Sequence, residues 1–600
     1  METRLQVRRR LFRITDSKGM VKLLFSRHDP TRNPTVCFDY PPHLNVIREH
    51  EYQVSSISSG GLTMMQQHRV VVLNAQDCPL FYKTHWERNC VKNAFAVAGF
   101  MRTKKKWTDW HLAWAKHIPK TKFKLFKSDN QQHAQVFNHF PDPWVIGRKD
   151  RLMKTLASYK RRFGASYSFF PEGFTLPDQM DAFRRAIQRD DGGTALPIWI
   201  LKPPASACGR GIHVITSKDV DSISKEKKYV VQRYLADPLL LDGYKFDLRI
   251  YVVVTSADPL RIYLFKDGIA RFCTSKYSLD KLKNRFSHLT NYSVNKTNDC
   301  FIENTETGQG NAGSKWSLTG LLEHLQTEKI LKDPEKLMEQ IREVVCKTVI
   351  AAEAHLTPLV HQFVKKPLSC YELFGFDVML DSSLKPWLIE VNVSPSLMGG
   401  SPLDKRVKGL LLSDIFHLVG VPVSVHDLPA GVLPKDLESA RNGSSSSVSS
   451  TASLLFNRRH TTGAQTASFQ HASTTPSSSS PSSFTPSASS RGAINKQLHE
   501  VVLDPNIPHF ENNHLELFSS NDWDIIHTME DEMDRLGHFE RIFPSLNPEE
   551  TAKYASFFTC QRYSNALCAK WISTAQKKSS GKSSRRHTKP KQPHQQVAKK

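Results

Sequence analysis

Glu390 and Asn392 stand two residues apart in PWLIEVNVSPSL (386–397), and Asp377 precedes them in YELFGFDVML (371–380). Both segments have strand character, and DSSLKP between them is turn chemistry, so the pair predicts a β-hairpin. Alternation along the second strand puts Glu390 and Asn392 on one face and Trp387, Ile389, Val391 and Val393 on the other. Closure through DSSLKP sets Asp377 opposite Glu390, and three oxygen-bearing side chains then converge. Such a set suits Mg²⁺, which takes hard oxygen ligands, keeps several waters and is usually held jointly with substrate phosphates. One carboxylate in a strand is more often a solvent-facing group; the combination framed by apolar strands favours metal.

Four further segments carry candidate chemistry. In WILKPPASACGRGIHVI (199–215) a strand ends at Lys202 and a turn-rich loop holds Gly209 and Gly211. Glycines let backbone N–H groups approach phosphate oxygens, and Lys202 and Arg210 supply charge. The loop joins two strands, so it is not a P-loop, and a plain glycine-bearing hairpin fits it equally well. KFDLRIYVVV (245–254) alternates Lys245, Asp247, Arg249 and Tyr251 against Phe246, Leu248, Ile250 and Val252. Its polar face is either a structural salt-bridge row or a wall for phosphates and carboxylates, with Arg249 able to bond bidentately. YVVQRYLADP (229–238) is a strand that could offer backbone donors and acceptors to an adenine ring. HLTNYSVNK (288–296) is either a surface turn or a set of polar groups completed by a ligand.

The elements that must position these groups alternate in type. VVVLN from Val70, PIWIL, RGIHVIT, KYVVQRYL and KFDLRIYVVVT read as strands. VKNAFAVAGF, RLMKTLASYKRRF, QMDAFRRAIQR and LMEQIREVVCKTVIAAEAHL read as helices. This interleaving predicts an α/β or α+β chain rather than a bundle or sandwich. Six hundred residues with 82 basic and 58 acidic side chains carry a net charge of +24, which favours polyanionic partners. No apolar run is long enough to span a membrane, and METRLQVRRRLFRIT lacks the apolar core of a secretory signal. Ten cysteines without a CxxC pair predict neither a disulfide framework nor a structural zinc site, and a reduced, intracellular chain.

In this order NHFPDPW (138–144), FPEGFTLP (170–177), WILKPP, GRGI (209–212), QRYL (232–235), KFDLR, HLTNYSVNK, GSKWSL (313–318), FGFD and EVNVSPSL resemble the tubulin–tyrosine ligase-like family. GHFERIFPS and QRYSNAL resemble its polyglutamylase branch, nearest to members that start chains. The resemblance implies an ATP-grasp fold and an ATP-dependent ligase that adds L-glutamate through an isopeptide bond to glutamate side chains of acidic tubulin tails, by way of an acyl phosphate. It implies that Lys202, Arg210 and Gly211 bind ATP phosphates. Gln232, Arg233, Tyr234 and Leu235 would form the adenine-side hinge, with Lys245, Asp247, Thr290 and Asn291 also on the nucleotide. Asp377, Glu390 and Asn392 would hold Mg²⁺, and Arg271, Tyr292, Ser293, Lys315 and Lys408 would surround free glutamate. Lys202, Arg249 and Glu390 carry the catalytic expectation. Cys208 departs from the longer polar or basic side chain of several relatives. A catalytically dead microtubule adaptor and a glycine-adding ligase are the alternatives; the positive charge of Arg271 and Lys315 suits glutamate's extra carboxylate.

The expected organisation is a loosely ordered lead-in (1–66), an N-terminal domain (67–195), a central ATP-grasp domain (196–265), a C-terminal ATP-grasp domain with the Mg²⁺ site (266–430), a disordered Ser/Thr/Pro-rich linker (431–500), a short helical module (501–572) and a basic tail (573–600). The chain is expected to work as a monomer on the cytoplasmic cytoskeleton, with cilium or basal body as further locations. Membrane is not expected as a partner, nor is nucleic acid, for which no recognition signature is present. Basic stretches at 102–106, 120–127 and 160–162, with the tail, would steer an acidic polypeptide toward the cleft. Deleting residues 573–600 should weaken microtubule cosedimentation at low salt, by a margin that shrinks as salt rises. Equal binding by the truncated and full chains would leave the tail without a role in docking.

Overall fold

The computed structural model describes residues 19–47, 52–54, 68–103, 110–125, 135–190, 197–206, 209–304, 313–364, 369–429, 432 and 518–583. Strands β1 (Met20–Phe25), β2 (Thr35–Val36), β3 (Tyr52–Val54) and β4 (His68–Asn74) form a sheet ordered β2-β1-β4-β3. Around helix α1 (Asn89–Val97), the strands β5 (Leu80–Thr84), β6 (Phe100–Arg102), β7 (Leu112–Trp114) and β8 (Val136–Phe137) make a parallel sheet, β6-β5-β7-β8. Helices α2 (Trp144–Gly147) and α3 (Lys149–Phe163) follow. An antiparallel sheet, β11-β10-β12-β9, then combines β9 (Gly173–Leu176), β10 (Trp199–Lys202), β11 (His213–Ile215) and β12 (Tyr229–Arg233), backed by α4 (Met180–Asp190).

The central sheet begins with β13 (Leu240–Leu241), β14 (Tyr244–Ala257) and β15 (Leu260–Phe272). After α5 (Arg285–His288) and α6 (Tyr292–Asn295) come β16 (Lys315–Ser317), α7 (Leu318–Thr327), α8 (Pro334–Phe363), β17 (Glu372–Leu380), β18 (Pro386–Val393) and α9 (Pro402–Val419). The C-terminal segment contributes α10 (Ser520–Asp534), β19 (Phe539–Phe543), α11 (Pro548–Ala555) and α12 (Tyr563–Ser583). The sheet runs β16-β15-β14-β17-β18, with β13 on β14 and β19 on β15.

Strand alternation sorts the two faces. Phe246, Leu248, Ile250 and Phe374, Phe376, Val378 pack with α8, whereas Tyr251, Val253, Tyr371 and Leu373 pack with α9 and the N-terminal sheets. Helix α8 starts where the sequence allows it: the Asp333 side chain accepts from the N–H groups of Glu335 and Lys336, and Pro334 occupies the first turn. On α3, Leu152, Met153, Leu156 and Tyr159 form the buried stripe, and Lys160, Arg161 and Arg162 close the C-terminal end.

Several boundaries differ from the sequence expectation: that at 195/196 cuts β9 and α4 from the sheet they join, and that at 572/573 falls inside α12. Within the expected lead-in, residues 19–47 are part of the core: Val21, Leu23 and Phe38 are fully buried, and the Phe38 ring packs, tilted, 5.3 Å from that of Phe416 of α9. Strands this short, broken by HDPTRNP, give too little periodicity to recognise. The expected division at 265/266 falls inside β15, and β14 belongs to the same sheet as the hairpin. The C-terminal segment is not a detached helical module, because β19 extends the central sheet along the edge of β15 that β16 also uses. The linker expected at 431–500, apart from Val432, and residues 584–600 of the basic tail expected at 573–600 lie outside the described residues, as does Cys208.

Buried charge fastens the C-terminal segment. Arg261, 1% exposed, donates from Nε to Glu532 at 2.7 Å, and the Tyr263 hydroxyl donates to the same carboxylate oxygen at 2.6 Å. Arg342 of α8 bonds Glu540 of β19 through Nε at 2.5 Å, and Arg562 pairs with Glu353. Glu532→Gln should destabilise the protein by about 3–5 kcal/mol, since it strands a buried guanidinium; the double variant Arg261→Met/Glu532→Leu should recover most of that loss. Thermal unfolding compares them, and an unchanged midpoint in Glu532→Gln would mean that the pair does not anchor the segment.

Candidate active site

Cross-strand register builds a belt of charge across the central sheet. Lys315 lies opposite Arg271, and Arg271 opposite Asp247. Two residues along β14, Arg249 lies opposite Asp377, which lies opposite Glu390. Arg249 donates to both oxygens of Asp377, at 2.6 and 3.2 Å. Arg271 bonds Asp247 bidentately, at 2.8 and 2.5 Å, and also reaches Asp377 Oδ2 at 2.7 Å. Burial alone would raise the Asp377 pKa, but the two guanidiniums hold it well below the usual carboxylate range. Burial pushes Asp247 upward despite Arg271. Gly375 makes the crossing possible: a Cβ there would meet Pro395 at 2.8 Å and the Arg249 side chain at 3.1 Å.

The belt opens onto a cleft between the hairpin and the β9–β12 sheet. Lys202, Gln232, Arg233, Tyr234, Leu235, Lys245, Asp247, Thr290, Asn291, Asp377 and Glu390 all line it, so the nucleotide-side expectations other than Arg210 and Gly211 converge with both acidic metal candidates, while Asn392 is not part of this lining. Lys202 Nζ donates to Gln232 Oε1 at 2.9 Å, and Lys245 Nζ to the Tyr234 hydroxyl at 2.7 Å. Burial lowers both ammonium groups to about 8. Ile200, Ile212, Met379 and Ile389 add apolar walls suited to a flat ring. Strict alternation predicts Ile389 on the face away from Glu390; instead, a register shift between Asp377 and Val378 brings both onto the cleft.

Other expected residues stand around this centre. Arg210 and Ser293 line an adjoining basic groove with Lys283 and Arg285. Arg285 donates to the Gly209 carbonyl at 2.9 Å, and Gly209 (φ +68°) permits the close approach of Asn291, whose Oδ1 would lie 2.9 Å from a Cβ. Gly211 also has positive φ, at +69°. Lys315 lies 3.6 Å from the centroid of the Tyr292 ring and 2.7 Å from Asp404, which also accepts from Lys408 at 2.6 Å. Asn392 donates from Nδ2 to the Gly375 carbonyl at 3.2 Å. HLTNYSVNK is no surface turn, because His288, Thr290 and Asn295 are buried.

Two residues escaped sequence reasoning. Asp404 joins Lys315 to Lys408 from the first turn of α9, where Ser401 caps the helix. Lys149, at the start of α3, pairs with Glu390 at 2.9 Å. SPLDK is a legible helix start, but nothing in it announces a bridge to Lys315; the Lys149 contact crosses too much sequence to leave a local trace.

The residues fit a divalent cation. Asp377 and Glu390 are hard oxygen donors in direct cross-strand register, Asn392 Oδ1 has no partner among the described residues, and the carboxylates are presently balanced by Arg249, Arg271 and Lys149. Elsewhere among the described residues, His28, Asp531 and Asp534 bring ligand atoms within 4.8 Å, but Arg27 and Arg32 already neutralise those carboxylates. A polyphosphate against Lys202 and Lys245 should bind more weakly as pH rises through about 8, because only the protonated amines attract it. The loss should approach about tenfold per pH unit per lysine above that value. Calorimetric titration of a non-hydrolysable ATP analogue checks this, with Lys202→Arg flattening the profile; affinity independent of pH would contradict it.

The sequence profile of the tubulin-tyrosine ligase family matches residues 126–428. The chain is 39% identical over 488 residues to human tubulin monoglutamylase TTLL4, covering 80% of this chain and 36% of that protein. It is 39% identical over 334 residues to human tubulin polyglutamylase TTLL5, covering 55% of this chain and 25% of the relative. Against tubulin polyglutamylase ttll-4 of Caenorhabditis elegans it is 31% identical over 460 residues, 76% of this chain and 66% of that one. The chain thus spans about a third of the length of the TTLL4 protein it matches. With a profile covering the whole belt and cleft, this mixed α/β chain belongs to the tubulin-tyrosine ligase family.

Proposed function

We propose that this chain is an ATP-dependent, carbon–nitrogen bond-forming ligase that adds L-glutamate to glutamate side chains in acidic tubulin tails. The observation that carries the reading is the convergence of Lys202, Lys245, Asp377 and Glu390 on one cleft whose apolar walls suit a nucleotide base. Relatives named as tubulin monoglutamylase and polyglutamylases support the substrate class. The β9–β12 sheet and the central sheet would be the two nucleotide-clasping parts of an ATP-grasp fold.

A carboxylate is a poor electrophile. The acceptor side chain first attacks the terminal phosphorus of ATP, giving an acyl phosphate and ADP; the amine of free glutamate then attacks the acyl carbon, loses a proton and expels phosphate. The protein's part is positioning and charge neutralisation. Lys202, with Arg210 and the Gly211 backbone, would hold phosphates, while Gln232 to Leu235 would border the base. Asp377, Glu390 and Asn392 would hold Mg²⁺, which when bound supplies charge neutralisation at phosphate oxygens. Arg271, Tyr292, Ser293, Lys315 and Lys408 would receive glutamate, with Asp404 fixing the two lysines. Arg249 would keep Asp377 ionised and oriented.

The presence of Lys202 together with Asp377, Glu390 and Asn392 argues against a dead adaptor. The reading carries with it a monomer acting on the cytoplasmic cytoskeleton, cilium included; no described helix is long and apolar enough to cross a membrane. Glu390→Gln should fold yet lose about 10²–10³ in rate, the usual loss for one electrostatic contact in a transition state. ATP-dependent incorporation of labelled glutamate into tubulin measures it, and normal incorporation by Glu390→Gln would refute the assignment.

A further inference from the structure

The face of the central sheet that carries Asp247 and Arg249 holds a second chamber further along β14. At ~3.3 Å per residue, Thr255 lies about 20 Å from Arg249. The chamber measures about 400 Å³, within the range of small-molecule sites. Its wall includes Arg32, Thr35, Thr255, Tyr371, Gly420 and Arg535, drawn from the N-terminal segment, the central sheet, the end of α9 and the end of α10.

Arg535 is the uncommon feature. It is 6% exposed, yet among the described residues no carboxylate pairs with it. Its Nε donates to the Leu418 carbonyl at 3.4 Å, and the two Nη groups have no partner there. Gly420 (φ +64°) makes room for the guanidinium, since a Cβ would stand 2.7 Å from Nη2. The other charges of the wall are satisfied. Asp531 takes Arg32 at 2.8 Å, and Glu532 takes Arg261 at 2.7 Å. One positive charge is left over. Three hydroxyls of the same wall, on Thr35, Thr255 and Tyr371, also have no hydrogen-bond partner among the described residues, and Thr255 and Tyr371 are 4% and 1% exposed. Water could satisfy hydroxyls, but it does not neutralise a buried guanidinium.

We propose that this chamber binds a small oxyanion, a carboxylate or a phosphate, with Arg535 as its charge partner and the hydroxyls of Thr255 and Tyr371 as further donors. A guanidinium presents a planar fork that matches either group. The ligand would tie α9 and α10 to the sheet at a point remote from the nucleotide cleft, and the assignment is independent of the reaction proposed above.

The test titrates inorganic phosphate and succinate separately into the full chain by calorimetry, with chloride at matched ionic strength as reference. At least one should bind saturably, and which one does identifies the class. Thr255→Val and Tyr371→Phe should each weaken binding about three- to tenfold. Arg535→Gln should abolish it, and Glu390→Gln, in the other cleft, should leave it unchanged. Should Arg535→Gln fail to fold, the two conservative variants decide. Absence of saturable binding by the unaltered chain would overturn the proposal. So would binding indifferent to Thr255→Val and Tyr371→Phe, or binding lost in Glu390→Gln.

Discussion

Asp377 is a carboxylate buried in the middle of a sheet, tolerable because Arg249 and Arg271 meet it from neighbouring strands. That requirement fixes the register of β14, β15 and β17 together. A slip of one residue in β17 would turn Asp377 toward the face now filled by Phe374, Phe376 and Val378, away from Arg249 and Arg271. The apolar faces and the ionic belt therefore demand the same alignment. The hairpin then carries Glu390 to the place opposite Asp377 without further specification.

The far end of the sheet supports this arrangement. Strand β15 carries Arg271 in one half, where β16 pairs with it, and receives β19 along the other half. The C-terminal segment thus stiffens the strand that holds one of the two guanidiniums on Asp377, through β19 pairing and the Glu532 contacts with Arg261 and Tyr263, while Glu540 ties β19 to Arg342 of α8. Under the proposed function, nucleotide and cation would enter a belt already close to electrical balance, and the Lys149–Glu390 pair is the contact that would have to yield.

Much of this centre is legible in the amino-acid order. The hairpin, the polar face of KFDLR and the opposition of Asp377 to Glu390 follow from period-two patterning and turn residues, which act over a few positions. Ile389 was misplaced because the bulge beside it breaks that period, and a bulge leaves no mark in composition. Lys149 and Asp404 were missed because their partners are distant in sequence. The strands β1 and β2 within residues 19–47, and β19, are hard to read for a related reason: each is short and draws its stability from the sheet it joins. Roles assigned to Arg271, Lys315 and Lys408 rested on family resemblance, and the structure adds to them the carboxylates that hold each one in place.

The most direct measurement is a crystal structure of the full chain with Mn²⁺ and a non-hydrolysable ATP analogue, using the anomalous signal of manganese. A peak is expected among Asp377, Glu390 and Asn392, with analogue phosphates against Lys202 and Lys149 withdrawn from Glu390. Manganese elsewhere, or those three side chains turned apart around an analogue bound without it, would contradict the account.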